Sequence, residues 1–254
     1  MGVVIPTNKE VLTFKGLHLY HSGISNCAMR VRITLEEKGL EWSSHHLDIV
    51  KKEHITPEYF GINPNGVVPT LVHDGVVMIE SDDIIDYLDK TFPDRPLRPS
   101  DPDQLKLLYH WLKLATSIHV KAVKTFIYDK RMRGKMAQSQ DEQEAYARLQ
   151  TNPELLEFHR KSTEGAFAQE DLDEAEQILR TCFAEADALL ADSKWMVGDQ
   201  FSLADIAWVP LHFTLKELAQ FPFERFANIQ AWADRIAERD SFKKGVLDWW
   251  PSGA

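Results

Sequence analysis

The stretch from Asn63 to Asp83 constrains this chain more than any other. Asn63-Pro64-Asn65-Gly66 are turn formers. Val67 to Val72 follows as a run of β-favouring residues broken only by Pro69. Asp74-Gly75 suits a type I′ hairpin turn, and Val76 to Ile79 returns as the partner strand. Glu80-Ser81-Asp82-Asp83 then opens a run with Ile84, Ile85, Leu88 and Phe92 at helical spacing. A proline inside a strand donates nothing to the ladder, so Pro69 belongs on an edge or at a kink. An X-Pro bond can be cis there. Such an edge frees the N–H and C=O of Val68 for an incoming extended peptide. The unpaired N–H groups where the helix opens at Ser81 offer a seat for a carboxylate. Together these elements describe a site for a short anionic peptide. Taken alone, they better describe a buried edge proline and an ordinary helix cap.

The residues before this stretch alternate strand and helix. Gly16 to His21 reads as a strand, and a loop, Ser22 to Asn26, leads into a helix over about 27–38. Gly39 stops it in the C′ position. Trp42 to Ile49 follows as a second strand, and Thr56-Pro57-Glu58 as N-cap, N1 proline and acidic first turn of a short helix. The order β-α-β-α-β-β-α suits a thioredoxin-like fold.

Chemistry belongs at the Ser25–Cys27 loop, where the first strand hands over to the first helix. Ligands of open α/β sheets bind at the carboxyl ends of strands. A thiolate there feels the positive end of the helix, which lowers a thiol pKa. Arg30 and Arg32 either add positive charge or are solvated helix-face residues. Ser25 also fits a plain N-cap, and Cys27 a small buried apolar side chain.

Specific motifs tie this half to the cytosolic glutathione transferases. Val68-Pro69-Thr70-Leu71, a hairpin, then Glu80-Ser81 before a helix resembles their glutathione-binding half. The resemblance implies that the Val68 main chain pairs with the cysteinyl unit of glutathione beside a cis Pro69. It implies that Glu80 and Ser81 hold the γ-glutamyl end. The segment Ser25-Asn26-Cys27-Ala28-Met29-Arg30-Val31-Arg32-Ile33 resembles the Ser-Ser-Cys segment of zeta-class enzymes. That similarity gives Ser25 the role of holding the glutathione sulfur as thiolate. Asn26 stands for the second serine as a glutathione-binding residue. Cys27 occupies the place of the cysteine that acts in glutathione-dependent reductive dehalogenases. Glu53-His54-Ile55-Thr56-Pro57-Glu58 is similar to a stretch of delta- and theta-like enzymes in which the histidine helps hold the glycyl carboxylate. His54 takes that role here, with Lys51 and Lys52 read as a solvated face.

Four prolines between Pro93 and Pro102 mark an interdomain linker. Beyond it no strand pattern appears. A long helix is expected over about 103–131, and residues 132–165 read as short helices and a lid. Leu172, Ala175, Leu179, Cys182, Ala186 and Leu189 form a core stripe, which assigns Cys182 to packing. Ser202 and Asp205 make a capping box, and loss of the Ser202 side chain should cost on the order of 1 kcal/mol. The expected organisation is an N-terminal extension over 1–15, a thioredoxin-like α/β domain over 16–95, a linker over 96–102 and an all-α helical domain over 103–254. The resemblance places a second substrate between the domains, near Ile24 and along the long helix, where His110, Lys113, Ser117, Lys121 and Lys124 accompany the leading candidates Trp111, His119 and Tyr128.

The formal net charge of −10 argues against a nucleic-acid binder, which needs a basic footprint. Two cysteines are too few for a disulfide framework, which fits a reducing, cytoplasmic setting. The first residues lack the length and basic start of a signal peptide, and no run reaches membrane-spanning length. The ten histidines show no ligand spacing backed by a third ligand, so no metal is expected. The resemblance implies a homodimer that uses glutathione as cosubstrate. Its thiolate would attack a small hydrophobic, aromatic electrophile by conjugation or β-aryl ether cleavage. One alternative is a reductive dehalogenase or thiol reductase using Cys27. Another is a glutathione-binding interaction module without turnover.

Overall fold

A computed structural model describes residues 2–132 and 139–251. Five strands form one sheet in the order β1-β5-β4-β2-β3: β1 Val3–Val4, β2 Leu17–His21, β3 Ser43–His46, β4 Thr70–His73 and β5 Val76–Met78. The β2–β3 pair is parallel, and the other three pairings are antiparallel. Asp74 and Gly75 both take positive φ, 49° and 82°, as the type I′ hairpin between β4 and β5 demands. The expected alternation of strand and helix holds, with helices α1 (Asn26–Lys38), α2 (Pro57–Phe60) and α3 (Ser81–Thr91). Gly39, at φ 63°, ends α1 in the left-handed conformation.

Among the described residues, the expected N-terminal extension contributes a strand and a core residue to this half. Val3 and Val4 pair with Met78 and Val77, and Val11 is buried against Tyr59, Ile62, Val68, Val72 and Val77. A two-residue strand is too short to show a period, so the sequence pattern hides it.

Helix α1 packs on all sides: ten of its thirteen residues are buried. That decides the status of Arg30 and Arg32, which are both fully buried and not solvated. The Arg32 guanidinium donates to the main-chain oxygens of Ser22, Gly23 and Gly245, at 2.9, 3.1 and 2.7 Å. It therefore ties the loop before Ser25 to the backbone at Gly245.

The remainder is helical: α4 (Pro102–Ile118), α5 (Thr125–Ile127), α6 (Gln140–Leu149), α7 (Pro153–Glu164), α8 (Gln169–Asp192), α9 (Leu203–Ala219), α10 (Ala227–Ala237) and α11 (Asp240–Gly245). The expected lid thus holds two helices, while residues 133–138 of it, like residue 1 and residues 252–254, lie outside the described residues. One continuous core runs from Leu19 through α1 and α3 into α4, α8, α9 and α10. The proline-rich linker is pinned to it. Leu97 is buried, its N–H donates to Asp89 Oδ1, and its carbonyl accepts from Leu203 N–H. Asp89 also accepts from the buried Lys38 ammonium at 2.7 Å and from Arg98 at 2.6 Å.

The expected single helix over 103–131 is replaced by α4 and a wider-wound continuation. Asp101 Oδ1 caps α4, accepting from Asp103 and Gln104 N–H, with Pro102 at N1. Past Ile118 the chain continues as π turns, His119–Lys124 and Tyr128–Met132, on either side of α5. Thr125 Oγ1 donates to the Val120 carbonyl within this segment. Turns of this width concentrate at functional sites.

Candidate active site

Ser25 is the N-cap of α1: its extended backbone turns the chain, and its Oγ accepts the Ala28 N–H at 3.2 Å. The hydroxyl proton remains available to a ligand at the amino end of the helix. The Val68–Pro69 peptide bond is cis. Tyr59 Oη and Asn63 Nδ2 both donate to the Val67 carbonyl, at 2.8 Å each, and hold the approach to this corner. Neither the N–H nor the C=O of Val68 is hydrogen-bonded among the described residues. The free strand edge expected from the sequence is therefore present.

Ser81 is the first residue of α3 and is buried. Its Oγ accepts from the Arg30 guanidinium at 3.1 Å, which also donates to the Ala207 and Ala115 carbonyls. One buried cation thus locks the amino end of α3 to α1, α4 and α9. Glu80, at φ 67°, sits just outside the helix and accepts from Asn65 Nδ2 at 3.4 Å. Its carboxyl is raised by surrounding protein first, then by Asp82 and Asp83.

Cys27 is half-buried on the first turn of α1, with Sγ 3.5 Å from His119 Nε2. Burial, then the charges of Lys124 and Arg30, hold the His119 imidazole well below its ordinary value, so the ring is neutral. Its Nδ1 is buried without a partner among the described residues. Lys124, one π turn on, lies within electrostatic reach of Cys27, Glu154 and Glu80; burial lowers its ammonium and these three groups oppose that. Its Nζ stands 5.4 Å from the Phe158 ring centre. Tyr128 packs edge-on against Phe158 at 5.1 Å, which adds a second aromatic wall.

His54 brings the loop after β3 to the same region. Burial, then Lys124 and His159, push its imidazole down to about 4, and its Nδ1 is a second buried nitrogen without a partner. Helices α6 and α7 close over this side. Gln150 Nε2 donates to the Asn65 carbonyl at 2.7 Å, and Lys52 pairs with Glu142 at 2.7 Å. Lys52 is therefore a lid anchor rather than only a solvated residue.

Other expected positions sit elsewhere. The Asn26 amide points across to Thr214 Oγ1 at 3.5 Å, an interdomain contact. Trp111 is buried, packs edge-on against Trp208 and gives its carbonyl to Trp208 Nε1, so it belongs to the core. Ile24 is half-buried in the loop that Arg32 clamps. Cys182 is buried in the core stripe, where burial and Glu185 push its thiol up to about 11. The sequence placed Lys124 among several long-helix candidates for the second-substrate site and did not set it apart from them. An α-helix of 3.6 residues per turn points residues 119 and 124 in different directions. A turn closed by an i→i+5 bond brings them to one side, and no residue pattern announces it.

Residues 19–96 match the glutathione S-transferase N-terminal domain family, and residues 123–240 match the glutathione S-transferase C-terminal domain family. Protein LigF of Sphingobium sp. strain SYK-6 is 31% identical over 242 residues, covering 90% of this chain and 92% of that protein. The chain belongs to the glutathione S-transferase family. The crystal structure of beta-etherase LigF superposes with a TM-score of 0.81 at 29% identity, over 90% of this chain and 98% of that one. The tetrachloro-p-hydroquinone reductive dehalogenase of Sphingobium chlorophenolicum is 26% identical, over 92% of this chain and 98% of its own. Glutathione S-transferase 1 of Dianthus caryophyllus is 44% identical over 101 residues, which is 40% of this chain and 46% of that protein. Both the transferase family and the two-part fold expected from the motifs are thus shown. Glutathione is the family's cosubstrate. Among the described residues no group of three or more His, Cys, Asp or Glu could hold a metal ion, and no helix is long and apolar enough to cross a membrane.

Proposed function

We propose that this transferase uses the glutathione thiolate to displace a leaving group from a small aromatic substrate, with cleavage of a β-aryl ether as the leading case. The observation that carries this reading is the unpaired main chain of Val68, beside Pro69 and in the same half as Ser25 and Ser81. Glutathione extends the sheet there as a short strand. Its γ-glutamyl end meets Glu80 and the N–H groups at the start of α3. Its glycyl carboxylate meets His54, whose unpartnered Nδ1 supplies a donor. Its sulfur rests at the amino end of α1, where the Ser25 hydroxyl donates to the thiolate. The helix start lowers the thiol pKa, and binding in place supplies the orientation. Similarity to a beta-etherase over nearly the whole chain favours ether cleavage over other displacements. The enzyme works as a homodimer in the reducing cytoplasm.

The test joins calorimetry with millimolar glutathione to an assay on an aromatic β-ether. Uptake of the tripeptide and release of the phenol are expected. Absence of uptake overturns the reading, and light scattering checks the dimer.

A second reading rests on the Cys27–His119 contact. A Cys27 thiolate can attack the sulfur of a glutathionyl adduct, forming a Cys27–glutathione disulfide and releasing the reduced substrate as carbanion equivalent plus proton. A further glutathione then frees Cys27 as oxidised glutathione leaves. The similarity to a reductive dehalogenase supports it.

A further inference from the structure

The mechanism above leaves one charged group without work. Lys124 lies inside the interdomain site, and its ammonium makes no hydrogen bond or ion pair among the described residues. Other cations nearby are occupied: Lys121 pairs with Glu174, Lys52 with Glu142, and Arg30 is consumed by Ser81 and two carbonyls. Lys124 is half-buried, so its ammonium is partly shielded from water and has no anionic partner to meet it among the described residues. The nearest negative groups, Glu80 and Glu154, lie beyond ion-pair distance and act only through space. Lys124, one π turn beyond His119, lies within electrostatic reach of both that imidazole and the Cys27 sulfur it touches. Phe158 and Tyr128 flank it with aromatic rings. A cation beside aromatic walls, next to the seat of a thiolate, suits a ring that carries negative charge on oxygen.

We propose that Lys124 is the binding group for the aryloxide oxygen of the substrate, the atom on which charge develops as the ether bond breaks. This rests on the proposed ether cleavage for its role in turnover, though not for its binding test. In the step, a C–S bond forms as the glutathione thiolate attacks carbon. The C–O bond breaks, and its electron pair stays on the phenolic oxygen. The thiol proton has already passed to water. The aryloxide pairs with the Lys124 ammonium, then takes a proton from water as it leaves, so glutathione and ether give thioether and phenol. The ammonium meets charge that is absent from the neutral ether, so it stabilises the transition state more than the ground state.

The experiment titrates 4-nitrophenol bound to the glutathione-loaded enzyme, read by the visible absorbance of its phenolate. An opposite charge at close range lowers an acid by about one pKa unit or more. The bound phenol is therefore expected to ionise about tenfold more readily on the wild-type protein than in water. Lys124→Arg should keep this shift, and Lys124→Met should lose it. Calorimetric glutathione affinity verifies that each variant is folded. In turnover, Lys124→Met should lower kcat more for ethers of weakly acidic phenols than for those of strongly acidic ones. An unshifted or unbound nitrophenol on the wild type overturns the proposal, as does an equal shift on Lys124→Met. The spectroscopic result needs no turnover. A shifted phenolate on an enzyme that cleaves no ether would sink the ether reading and leave the Lys124 subsite standing.

Discussion

Cys27 Sγ sits 3.5 Å from His119 Nε2, a first-turn thiol of one half facing a neutral imidazole of the other. A neutral ring can accept the thiol hydrogen bond, so the pair can hold Cys27 in place for exchange with a glutathionyl sulfur. In the proposed function it is not needed to hold the thiolate of glutathione itself, a role given there to Ser25. Cys27→Ala is therefore expected to keep glutathione affinity and ether cleavage within a small factor. Reduction of a halogenated hydroquinone or of a glutathionyl mixed disulfide should be lost. Parallel assays of both activities on the variant check this, and a collapse of ether cleavage would move Cys27 to the centre of the transfer chemistry.

Ser25 caps α1 and, in the proposed function, holds the thiolate, so its removal should show in two readouts. As N-cap it accepts the Ala28 N–H, and Ser25→Ala should cost about 1 kcal/mol of unfolding free energy. Losing the proposed thiolate partner should raise the apparent pKa of bound glutathione by about one unit, seen in the ultraviolet absorbance of the thiolate. Ser25→Gly keeps most of the cap's stability and should show the same thiol shift. Unchanged thiolate absorbance in both variants would reduce Ser25 to a structural cap.

Buried imidazoles make this fold sensitive to mild acid. Burial, then Arg32, pushes His21 down to about 3, and burial, then Lys216, pushes His212 down to about 4. In the unfolded chain both bind a proton near pH 6.5. Below that pH the unfolded state holds more protons than the native one, so stability falls as pH falls. Each group contributes a loss of about 1.4 kcal/mol per pH unit between 6.5 and its folded value. The loss is complete for His212 near pH 4 and for His21 near pH 3. Urea midpoints at pH 7.5, 5.5 and 4.5 should decline accordingly. His212 has an Nε2 without a partner among the described residues and packs tilted against Phe223 and edge-on to Trp232. His212→Phe should flatten the decline and raise stability at pH 5. An unchanged pH profile would show that His212 is protonated in the native state.

Legibility followed the range of the interactions. The hairpin, the Gly39 stop, the caps at Thr56 and Ser202, and the edge at Val68 were readable because each depends on neighbours within a few residues. The same holds for Ser25 and Ser81, which the helix starts position. What the pattern concealed was set by partners far along the chain. Arg30 and Arg32 look like helix-face cations until α9, α11 and the chain end pack over them. Asn26 looks like a ligand contact until Thr214 meets its amide. Trp111 looks like a pocket wall until Trp208 crosses it. Lys124 turns inward through a change of helical winding that hydrophobic spacing does not encode. Even the two-residue β1 strand exists only because β5 offers it an edge.

Asp205 carries the last prediction, because it does more than the capping box that reveals it. Its Oδ2 accepts the Ser202 N–H at 2.8 Å and the Ser202 hydroxyl at 2.9 Å, the local pair expected from Ser-x-x-Asp. Its Oδ1 accepts from Met196 N–H at 2.9 Å and Trp232 Nε1 at 2.8 Å. One fully buried carboxylate thereby joins the start of α9 to the turn before it and to the face of α10. Ser202→Ala removes only the cap, at about 1 kcal/mol. Asp205→Ala strands several buried donors, each costing about 1–3 kcal/mol when left unpaired. Its total should reach at least about 3 kcal/mol, several times the serine effect. Asp205→Asn should fall between them, since an amide presents one acceptor oxygen in place of two. Chemical denaturation of the three variants checks the order. Equal losses for Ser202→Ala and Asp205→Ala would mean that the Met196 and Trp232 donors find other partners, and that the junction between α9 and α10 does not depend on this carboxylate.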